Sequence, residues 1–423
     1  PPPPPKTLFP YPTLVRSLAF SEASSFFYPS VGLSVIISSM VKLPDWLSYL
    51  KVRGSYTEVG TSFERFITRP TYEFNIASGK WSSTSIYPVR NLKPEKTRSW
   101  EVGVNSKWLN NHLSFDVTYY RSSTINQTFT ADLSISSGYS KAYIQSGNVR
   151  NEGMEIALGY SDKWGGFSWD SNLTFSWNQN KIIKLTEGSV NPMTGEPITK
   201  DNYEMGQLGN LDARVKLYKG GSIGDVYATH RIKRDGNNNI YVSQEGKIEI
   251  ESVEEFKLGS ILPKSNMGWS NNFSYKGVNL GVTLTARFGG IALSGTQSTL
   301  DQYGVSQVTA DYRDAGGIFT NYGYVDTEKY FDTVKGYAAY YTYSATNVRL
   351  SELNLSYTLP QKWFRDKLRM TVGLVGKNLW MIYCKAPFDP EATASTQSNY
   401  YQSYDYFMQP TTRNIGFSVK LNF

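Results

Sequence analysis

Cysteine is almost absent from this chain of 423 residues, which contains Cys384 and no other cysteine. An intrachain disulfide is therefore excluded, and so is a zinc site built on several cysteines. Histidine is nearly as scarce, since His112 and His230 are the two present. Neither histidine lies in a recognisable catalytic motif, and we predict no catalytic residue, no metal site and no cofactor.

Long apolar runs are also missing. No stretch of about 18 apolar residues occurs, so the sequence predicts no transmembrane helix, and the most apolar segment, 31–37, is far too short. The chain opens without the basic, apolar and small-residue regions of a signal peptide, which indicates a mature, processed or fragmentary polypeptide. Residues 1–24 include the run Pro1–Pro5. We expect them to form a proline-rich leader or linker, separate from residues 25–423.

Aromatic residues, by contrast, are abundant. The chain has 31 Tyr, 21 Phe and 10 Trp, yet its mean hydropathy is −0.40, too polar for a helical membrane protein. A wall of strands reconciles the two values, because every second residue can face lipid while the others stay polar. The net charge of +7 is spread along the chain, which favours solvated turns and loops and argues against a nucleic-acid partner.

Alternation of apolar and polar residues, the period of a strand with one apolar face, dominates the chain. In one segment Trp100, Val102 and Val104 are separated by polar or small residues. About eleven strands of roughly ten residues are predicted, the length that spans a bilayer when the strand is tilted. They contain residues 31–37, 50–56, 100–108, 113–119, 154–160, 169–177, 269–275, 280–288, 353–359, 368–374 and 415–423.

The connections between these strands are predicted to alternate in length. Outer-membrane barrels show this pattern, with short periplasmic turns and long external loops, whereas a soluble β-sandwich has no reason to keep it. Short connections are expected at 110–111, 162–166, 276–277 and 360–366, and one of moderate length at 38–45. Long ones are expected at about 60–97, 129–140, 184–265, 289–345 and 379–411.

The number of strands limits the fold. The alternation ends the chain on the periplasmic side, and if its last strand is number 22 of a plugged barrel, its first is number 12. Eleven antiparallel strands cannot close a single-chain bacterial barrel, in which the number is even. We therefore expect an all-β chain, the C-terminal half of a transmembrane antiparallel β-barrel in the bacterial outer membrane. Its two edge strands would need partners outside this chain.

The last strand carries a second signal. Its alternation is strict and ends at a C-terminal aromatic residue, a pattern that resembles the sorting signal read by the outer-membrane assembly machinery. It predicts contact with that machinery and with outer-membrane lipids. The positions concerned are Ile415, Phe417, Val419, Leu421 and Phe423.

Several segments, in order along residues 25–423, resemble the SusC-like (SusC/RagA) branch of the TonB-dependent outer-membrane transporters. They are LKPEKTRSWEVGVNSKWLNNHLSFDVTYYRSSTINQ at 92–127, GNVRNEGMEIALGY at 147–160, SNLTFSWNQNKIIKL at 171–185, GSIGDVYATHRIKRDG at 221–236, LPKSNMGWSNNFSYKGVNLGVTLTARFGG at 262–290, NVRLSELNLSYTLP at 347–360, GKNLW at 376–380 and FDPE at 388–391.

The resemblance implies import of large nutrients, oligosaccharides or oligopeptides, driven by TonB through a plug region that is not in this chain. It also implies a SusD-like surface lipoprotein as a lid over the external loops. The alternative is a passive porin or a surface-binding barrel without energy coupling, although the long loop at 184–265 fits a gated receptor better. A soluble carbohydrate-binding protein is a third class, against which the apolar strand faces argue.

Aromatic residues in two long loops are the candidates for ligand contact, because flat rings stack on sugars and their hydroxyls form hydrogen bonds. Residues 340–343, directly before a descending strand, are expected to belong instead to the aromatic girdle at the membrane interface. The candidate ligand-binding residues are Tyr303, Tyr312, Tyr322, Tyr324, Tyr400, Tyr401 and Tyr404.

Two acidic segments have alternative interpretations. Asp389 and Glu391 could form the carboxylate pair of glycoside chemistry, but a structured turn around Pro387 and Pro390 is favoured. The segment RDGNNN at 234–239 lacks the spacing and closing Glu of a calcium loop. A hairpin turn at Asp235–Gly236 is favoured there.

Overall fold

Strands account for most of the secondary structure, as the alternating sequence predicts. The computed structural model describes residues 27–61, 72–83, 85–88, 92–132, 139–192, 194–198, 201–237, 239–365, 367–392 and 402–422, so the expected leader at 1–24 and Phe423 lie outside the described residues. In chain order the strands are β1 Ser30–Ile36, β2 Leu47–Thr61, β3 Tyr72–Asn75, β4 Lys80–Ser83, β5 Ile86–Tyr87, β6 Glu95–Trp108, β7 Leu113–Asp132, β8 Lys141–Trp164, β9 Phe167–Lys184, β10 Asn202–Gln207, β11 Arg214–Tyr218, β12 Asp225–Ile232, β13 Ile250–Ser260, β14 Ser265–Tyr275, β15 Val278–Phe288, β16 Ile291–Ser294, β17 Ile318–Thr320, β18 Gly323–Val325, β19 Thr342–Ser344, β20 Asn347–Thr358, β21 Arg369–Cys384, β22 Tyr404–Asp405 and β23 Asn414–Asn422.

The helices are short. Each α-helix follows a residue whose side chain accepts a backbone N–H of the first turn, and these capping residues are Ser294, Ser306 and Asp326. Among the described residues, no helix has both the length and the apolar character needed to cross a membrane. The helices are α1 Gly295–Gln302, α2 Gln307–Asp314 and α3 Thr327–Val334, with 3-10 helices at Ile37–Ser39 and Gln361–Phe364.

The chain divides into two compact units. Residues 1–156, 178–203 and 218–222 form the first, and residues 157–177, 204–217 and 223–423 form the second. In the first unit the strands follow the order β1, β2, β6, β7 and β8, and β5 adds a short parallel pairing with β8. In the second unit the order is β8, β9, β14, β15, β20, β21 and β23. Each of these orders follows the chain, and the eleven strands predicted from the sequence are present.

The pairing of the strands separates apolar from polar side chains in the second unit. Leu374 on β21 lies opposite Phe417 on one neighbour and Leu355 on the other. From β23 to β9 this row reads Phe417, Leu374, Leu355, Leu280, Phe273 and Trp169. One position along, on the opposite face, the row reads Ser418, Gly373, Ser356, Asn279, Ser274 and Ser168.

The apolar face of β23 is open. The side chains of Phe417, Val419 and Leu421 are 70%, 48% and 46% exposed. The remaining residues of β23 are exposed as well. In the described part of the chain, β23 pairs with β21 along one side and with no strand along the other. Apolar side chains left open in this way have lipid hydrocarbon as their natural surroundings.

Tight turns close the hairpins at one end. Lys276 and Gly277 join β14 to β15 with φ of 46° and 89°, the left-handed conformation that two-residue hairpin loops require. Residues 165–166 join β8 to β9, and residues 109–112 join β6 to β7. The short connections predicted at these places are confirmed, although the turn expected at 162–166 shrinks because β8 continues to Trp164.

One expectation about strand length is wrong. The eleven strands predicted from the sequence are not uniform segments of about ten residues, because they range from seven residues in β1 to 24 in β8. Several continue past their apolar stretch, since a paired strand remains favourable outside the bilayer. Short turns such as 276–277 and long connections such as 289–346 are both present, as expected of an outer-membrane barrel.

A charge on the open apolar face should destabilise the protein, whereas the same charge on the polar face should not. Leu355→Lys is expected to lower the free energy of unfolding by about 2–4 kcal/mol, because the ammonium meets hydrocarbon. Ser356→Lys, one residue along β20, is the matched control with a much smaller effect. The measurement is urea unfolding of the intact protein in lipid vesicles. Equal losses for the two variants would contradict the assignment of the faces.

Candidate ligand-binding site

The longest connections of the second unit are folded and share one buried core. The connection from β9 to β14 contains strands β11, β12 and β13, which pair with one another. The connection from β15 to β20 contains α1, α2, α3 and the hairpin β17–β18. A packed core of this kind holds the surface above it in a fixed shape. Its most deeply buried large side chains include Leu211, Val215, Val226, Leu293, Phe331, Val334 and Tyr341.

Tyr340 and Tyr341 belong to this loop core. The ring of Tyr341 is fully buried, and that of Tyr340 packs against the same cluster. Burial raises the pKa of both hydroxyls far above its usual value, so both phenols stay neutral. The expectation that residues 340–343 form an aromatic girdle is therefore wrong for these two, because their rings face protein instead of lipid.

Asp212 fastens two of the connections together. Its backbone N–H donates to the carbonyl of Gly336, and its Oδ1 accepts the N–H of Ala338. Its Oδ2 lies 2.9 Å from Nδ1 of His230 on β12. These three contacts, one from the backbone and two from the side chain of Asp212, hold the segment after α3 close to His230 on β12.

Tyr404, one of the candidate ligand-binding residues, is part of the same support. Its side chain is 2% exposed. Its hydroxyl donates to Oδ1 of Asn210 at 2.7 Å and accepts the Asn210 N–H at 3.2 Å. Next to it, Ser294 donates to Asp405 at 2.6 Å. The structure therefore places Tyr404 inside the loop core and leaves no face of its ring open to a ligand.

The hairpin β17–β18 is held by the side chain at its tip. Asn321 Oδ1 accepts the N–H of Val242 at 3.1 Å, and its Nδ2 donates to the Val242 carbonyl at 3.2 Å. The Asn321 side chain thus makes the pair of hydrogen bonds that a residue on a neighbouring strand would make with Val242. The contact brings Tyr322 beside Tyr241, with their hydroxyl oxygens 3.2 Å apart and their rings edge to face at 6.2 Å.

We call Lys233, Tyr241, Glu249 and Tyr322 the tyrosine patch. The Lys233 ammonium lies 4.5 Å from the centre of the Tyr241 ring and donates to Glu249 at 2.7 Å. The hydrogen bond with Glu249 raises the pKa of Lys233, and the hydrogen bond with Tyr241 raises the pKa of Tyr322. The patch presents two phenol rings with their hydroxyls and one ion pair, which suits stacking and hydrogen bonding to a polar ligand without net charge.

The other candidate tyrosines are also exposed, but at separate places. Tyr324 on β18 is 67% exposed and stands edge to face with Phe319, 5.5 Å between ring centres. Tyr303 follows α1 and is 71% exposed, whereas Tyr312 on α2 packs partly on Phe331. The structure thus brings Tyr322 and Tyr324 onto one hairpin and leaves the other two on helical segments. Tyr400 and Tyr401 lie outside the described residues.

Tyr241 is a member of the patch that the sequence analysis does not single out. The signal lies in the turn before it, because Asp235 Oδ1 accepts the N–H groups of Asn237 and Asn239. This turn folds the chain back until the Tyr241 N–H donates to the Lys233 carbonyl. The hairpin turn predicted at Asp235–Gly236 is confirmed, and it sets Tyr241 beside Lys233.

Asp389 and Glu391 both form ion pairs with Arg349. Arg349 donates to both oxygens of Asp389, at 2.7 and 3.1 Å, and lies 3.4 Å from Glu391. The Glu391 N–H also donates to Asp389. The structured turn is confirmed, and neither carboxylate is poised for glycoside chemistry. Within the described ranges no group of three or more His, Cys, Asp or Glu side chains could hold a metal ion.

Residues 9–379 match the family model described as TonB dependent receptor-like, beta-barrel. The chain belongs to this family. The family consists of outer-membrane proteins, and the antiparallel sheet described above is that of a receptor barrel. The outer-membrane location and the barrel fold predicted from the sequence are therefore confirmed.

Relatives of this TonB-dependent receptor barrel confirm the SusC/RagA resemblance. TonB-dependent receptor P3 of Formosa agariphila is 25% identical over 349 residues, covering 79% of this chain and 34% of that receptor. TonB-dependent receptor SusC of Bacteroides thetaiotaomicron is 22% identical, covering 74% of this chain and 31% of SusC. A solved structure of the RagAB peptide transporter aligns with a TM-score of 0.73 at 20% identity, covering 95% of this chain and 44% of that one. The chain thus spans less than half the length of these relatives.

Removing the Asp389 carboxylate charge should lower the free energy of unfolding. Asp389→Asn is expected to cost about 3 kcal/mol of unfolding free energy, because it leaves the buried Arg349 with a poorer partner. Burial opposes ionisation of Asp389, but the hydrogen bond from Arg349 lowers its pKa below the usual value. The stabilisation is therefore present at neutral pH and lost as the pH falls through that lowered pKa.

The matched control is Glu391→Gln, whose side chain is 38% exposed, with an expected cost under about 1 kcal/mol. Both variants are compared by urea unfolding of the intact protein in lipid vesicles at neutral pH. A loss for Glu391→Gln as large as that for Asp389→Asn would show that the buried pair is not the anchor.

Proposed function

We propose that this chain is the barrel portion of a TonB-dependent importer of large nutrients, oligosaccharides or oligopeptides, working with a SusD-like surface lipoprotein. Its membership of the receptor-barrel family supports transport across the outer membrane. SusC is named as a TonB-dependent receptor, and RagAB is a peptide importer solved in open-open and closed-closed states. Energy from TonB would act through a plug region supplied by the rest of the polypeptide.

The observation that carries the proposal is the folded state of the long loops. A passive pore has no need of a packed core beneath its external surface, whereas a receptor needs a fixed surface on which to hold its ligand. The tyrosine patch lies on such a surface, with Tyr322 48% exposed. Paired phenols beside an ion pair can stack on a sugar ring or a peptide group and also hydrogen-bond to it.

Uptake should depend on energy supplied from the inner membrane. Cells that express the intact transporter are given fluorescently labelled maltooligosaccharides or a labelled casein digest, and uptake is compared with a deletion strain. Transporter-dependent uptake is expected to stop when the proton-motive force is dissipated or TonB is deleted. Uptake that persists under both treatments would favour a passive porin.

Ligand affinity should fall when the tyrosine patch is removed. Tyr241→Ala combined with Tyr322→Ala is expected to weaken binding of the transported oligomer roughly tenfold, because two stacking faces and their hydroxyls are lost. Calorimetric titration of the intact protein gives the dissociation constant. The control is Tyr275→Ala, an exposed tyrosine next to the tight turn 276–277. Unchanged affinity in the double variant would remove the patch from the binding site.

A further inference from the structure

The apolar face of the first unit changes character toward the long connection 62–94. Residues two apart on a strand lie on the same face, so successive rows across β2, β6 and β7 can be compared. Over four rows the side chains change from aliphatic to aromatic and then to charged. In order they are Val52–Val104–Val117, Gly54–Val102–Tyr119, Tyr56–Trp100–Arg121 and Glu58–Arg98–Ser123.

The order of these rows follows the change in polarity across one bilayer leaflet, from the hydrocarbon to the headgroups. Aliphatic side chains meet hydrocarbon, aromatic rings lie at the interface, and charged groups lie at the level of the lipid headgroups. Trp100 and Tyr119 are in ring contact at 5.4 Å and both are more than a third exposed. Long connections are external in outer-membrane barrels, so the charged rows lie at the outer leaflet.

Positive charge exceeds negative charge above the aromatic row. Glu58 is shared between Lys96 and Arg98, the latter at 2.9 Å, and the Arg98 side chain is still 51% exposed. Arg121 lies 3.7 Å from Glu152, a separation too long for a strong hydrogen bond.

A fourth cation lies on the neighbouring strand. Arg150 stands two residues before Glu152 on β8 and so shares its face. Its Nε is buried and has no hydrogen-bond partner among the described residues, while the residue as a whole is half-buried. Four cations therefore face two carboxylates, and each guanidinium has more donors than one carboxylate can use.

We propose that Lys96, Arg98, Arg121 and Arg150, here called the basic cluster, bind the phosphate group of an anionic lipid of the outer leaflet. Guanidinium groups bind phosphate with two parallel hydrogen bonds, which is stronger and more directional than an ammonium contact. The acyl chains of the same lipid lie along the rows of Trp100 and Val102 directly below. This continuity of a basic and an apolar surface selects a lipid over a free phosphate ion.

The test uses the intact protein in neutral detergent and compares binding of phosphorylated lipid A with that of its dephosphorylated form. The wild type is expected to prefer the phosphorylated form, and Arg98→Gln with Arg121→Gln to lose roughly tenfold in affinity for it. Arg98→Lys with Arg121→Lys should retain part of the preference, because the charges remain. Lys107→Gln with Lys163→Gln, two exposed lysines next to the tight turns, removes the same charge elsewhere and should change nothing.

Three results would overturn the proposal. The first is equal binding of the two lipid forms by the wild type. The second is an undiminished phosphate preference in the double glutamine variant, whose folding is checked by its heat-dependent migration on a gel. The third is competition by inorganic pyrophosphate as effective as that by phosphorylated lipid A, which would assign the basic cluster to a soluble anion.

Discussion

A backbone amide or carbonyl that enters hydrocarbon must find its hydrogen-bond partner within the protein. The long antiparallel ladders of this receptor barrel meet that demand strand by strand, and the pleat then decides which side chains meet lipid. The row from Phe417 to Trp169 on one face and the row from Ser418 to Ser168 on the other follow from a single register. A slip of one residue would exchange the two faces, so the same pairing fixes both backbone and surface. The edge strand β23, paired along one side in the described chain, meets the demand only when a further strand joins it.

In the second unit, the long connections between strands fold into a buried core of their own. Turns such as Lys276–Gly277 are minimal, whereas the connections at the other ends are long enough to bury a core of their own. Polar ties from Asp212 and Tyr404 fix that core without disulfides, consistent with a chain that has one cysteine. Asn321 then sets Tyr322 against Tyr241, so a binding surface arises from hydrogen bonds that the core holds in place. The proposed role in nutrient import rests on this division between a lipid-facing wall and a folded receptor surface.

The wall could be predicted from the sequence because its physical signal is local. Alternation with period two marks the long strands of the wall, and turn residues such as Gly277 and Asp235 have strong conformational preferences. The loop core was not predictable in the same way. Val215, Leu293 and Tyr341 are far apart in sequence, and Val215 and Leu293 lie on strands of only five and four residues, too short for alternation alone to reveal a shared core. For that reason the sequence does not reveal the burial of Tyr340, Tyr341 and Tyr404, or the place of Tyr241 beside Tyr322.

The most direct test concerns the two faces of β23. In a Cys384→Ser background, single cysteines placed from position 415 to position 421 of the intact protein are labelled with a fluorophore in lipid vesicles. Quenching by a lipid-borne quencher is compared with quenching by aqueous iodide. The account predicts strict alternation, with labels at 415, 417, 419 and 421 quenched from the lipid and those at 416, 418 and 420 quenched from water. Equal quenching at positions 417 and 418 would contradict it.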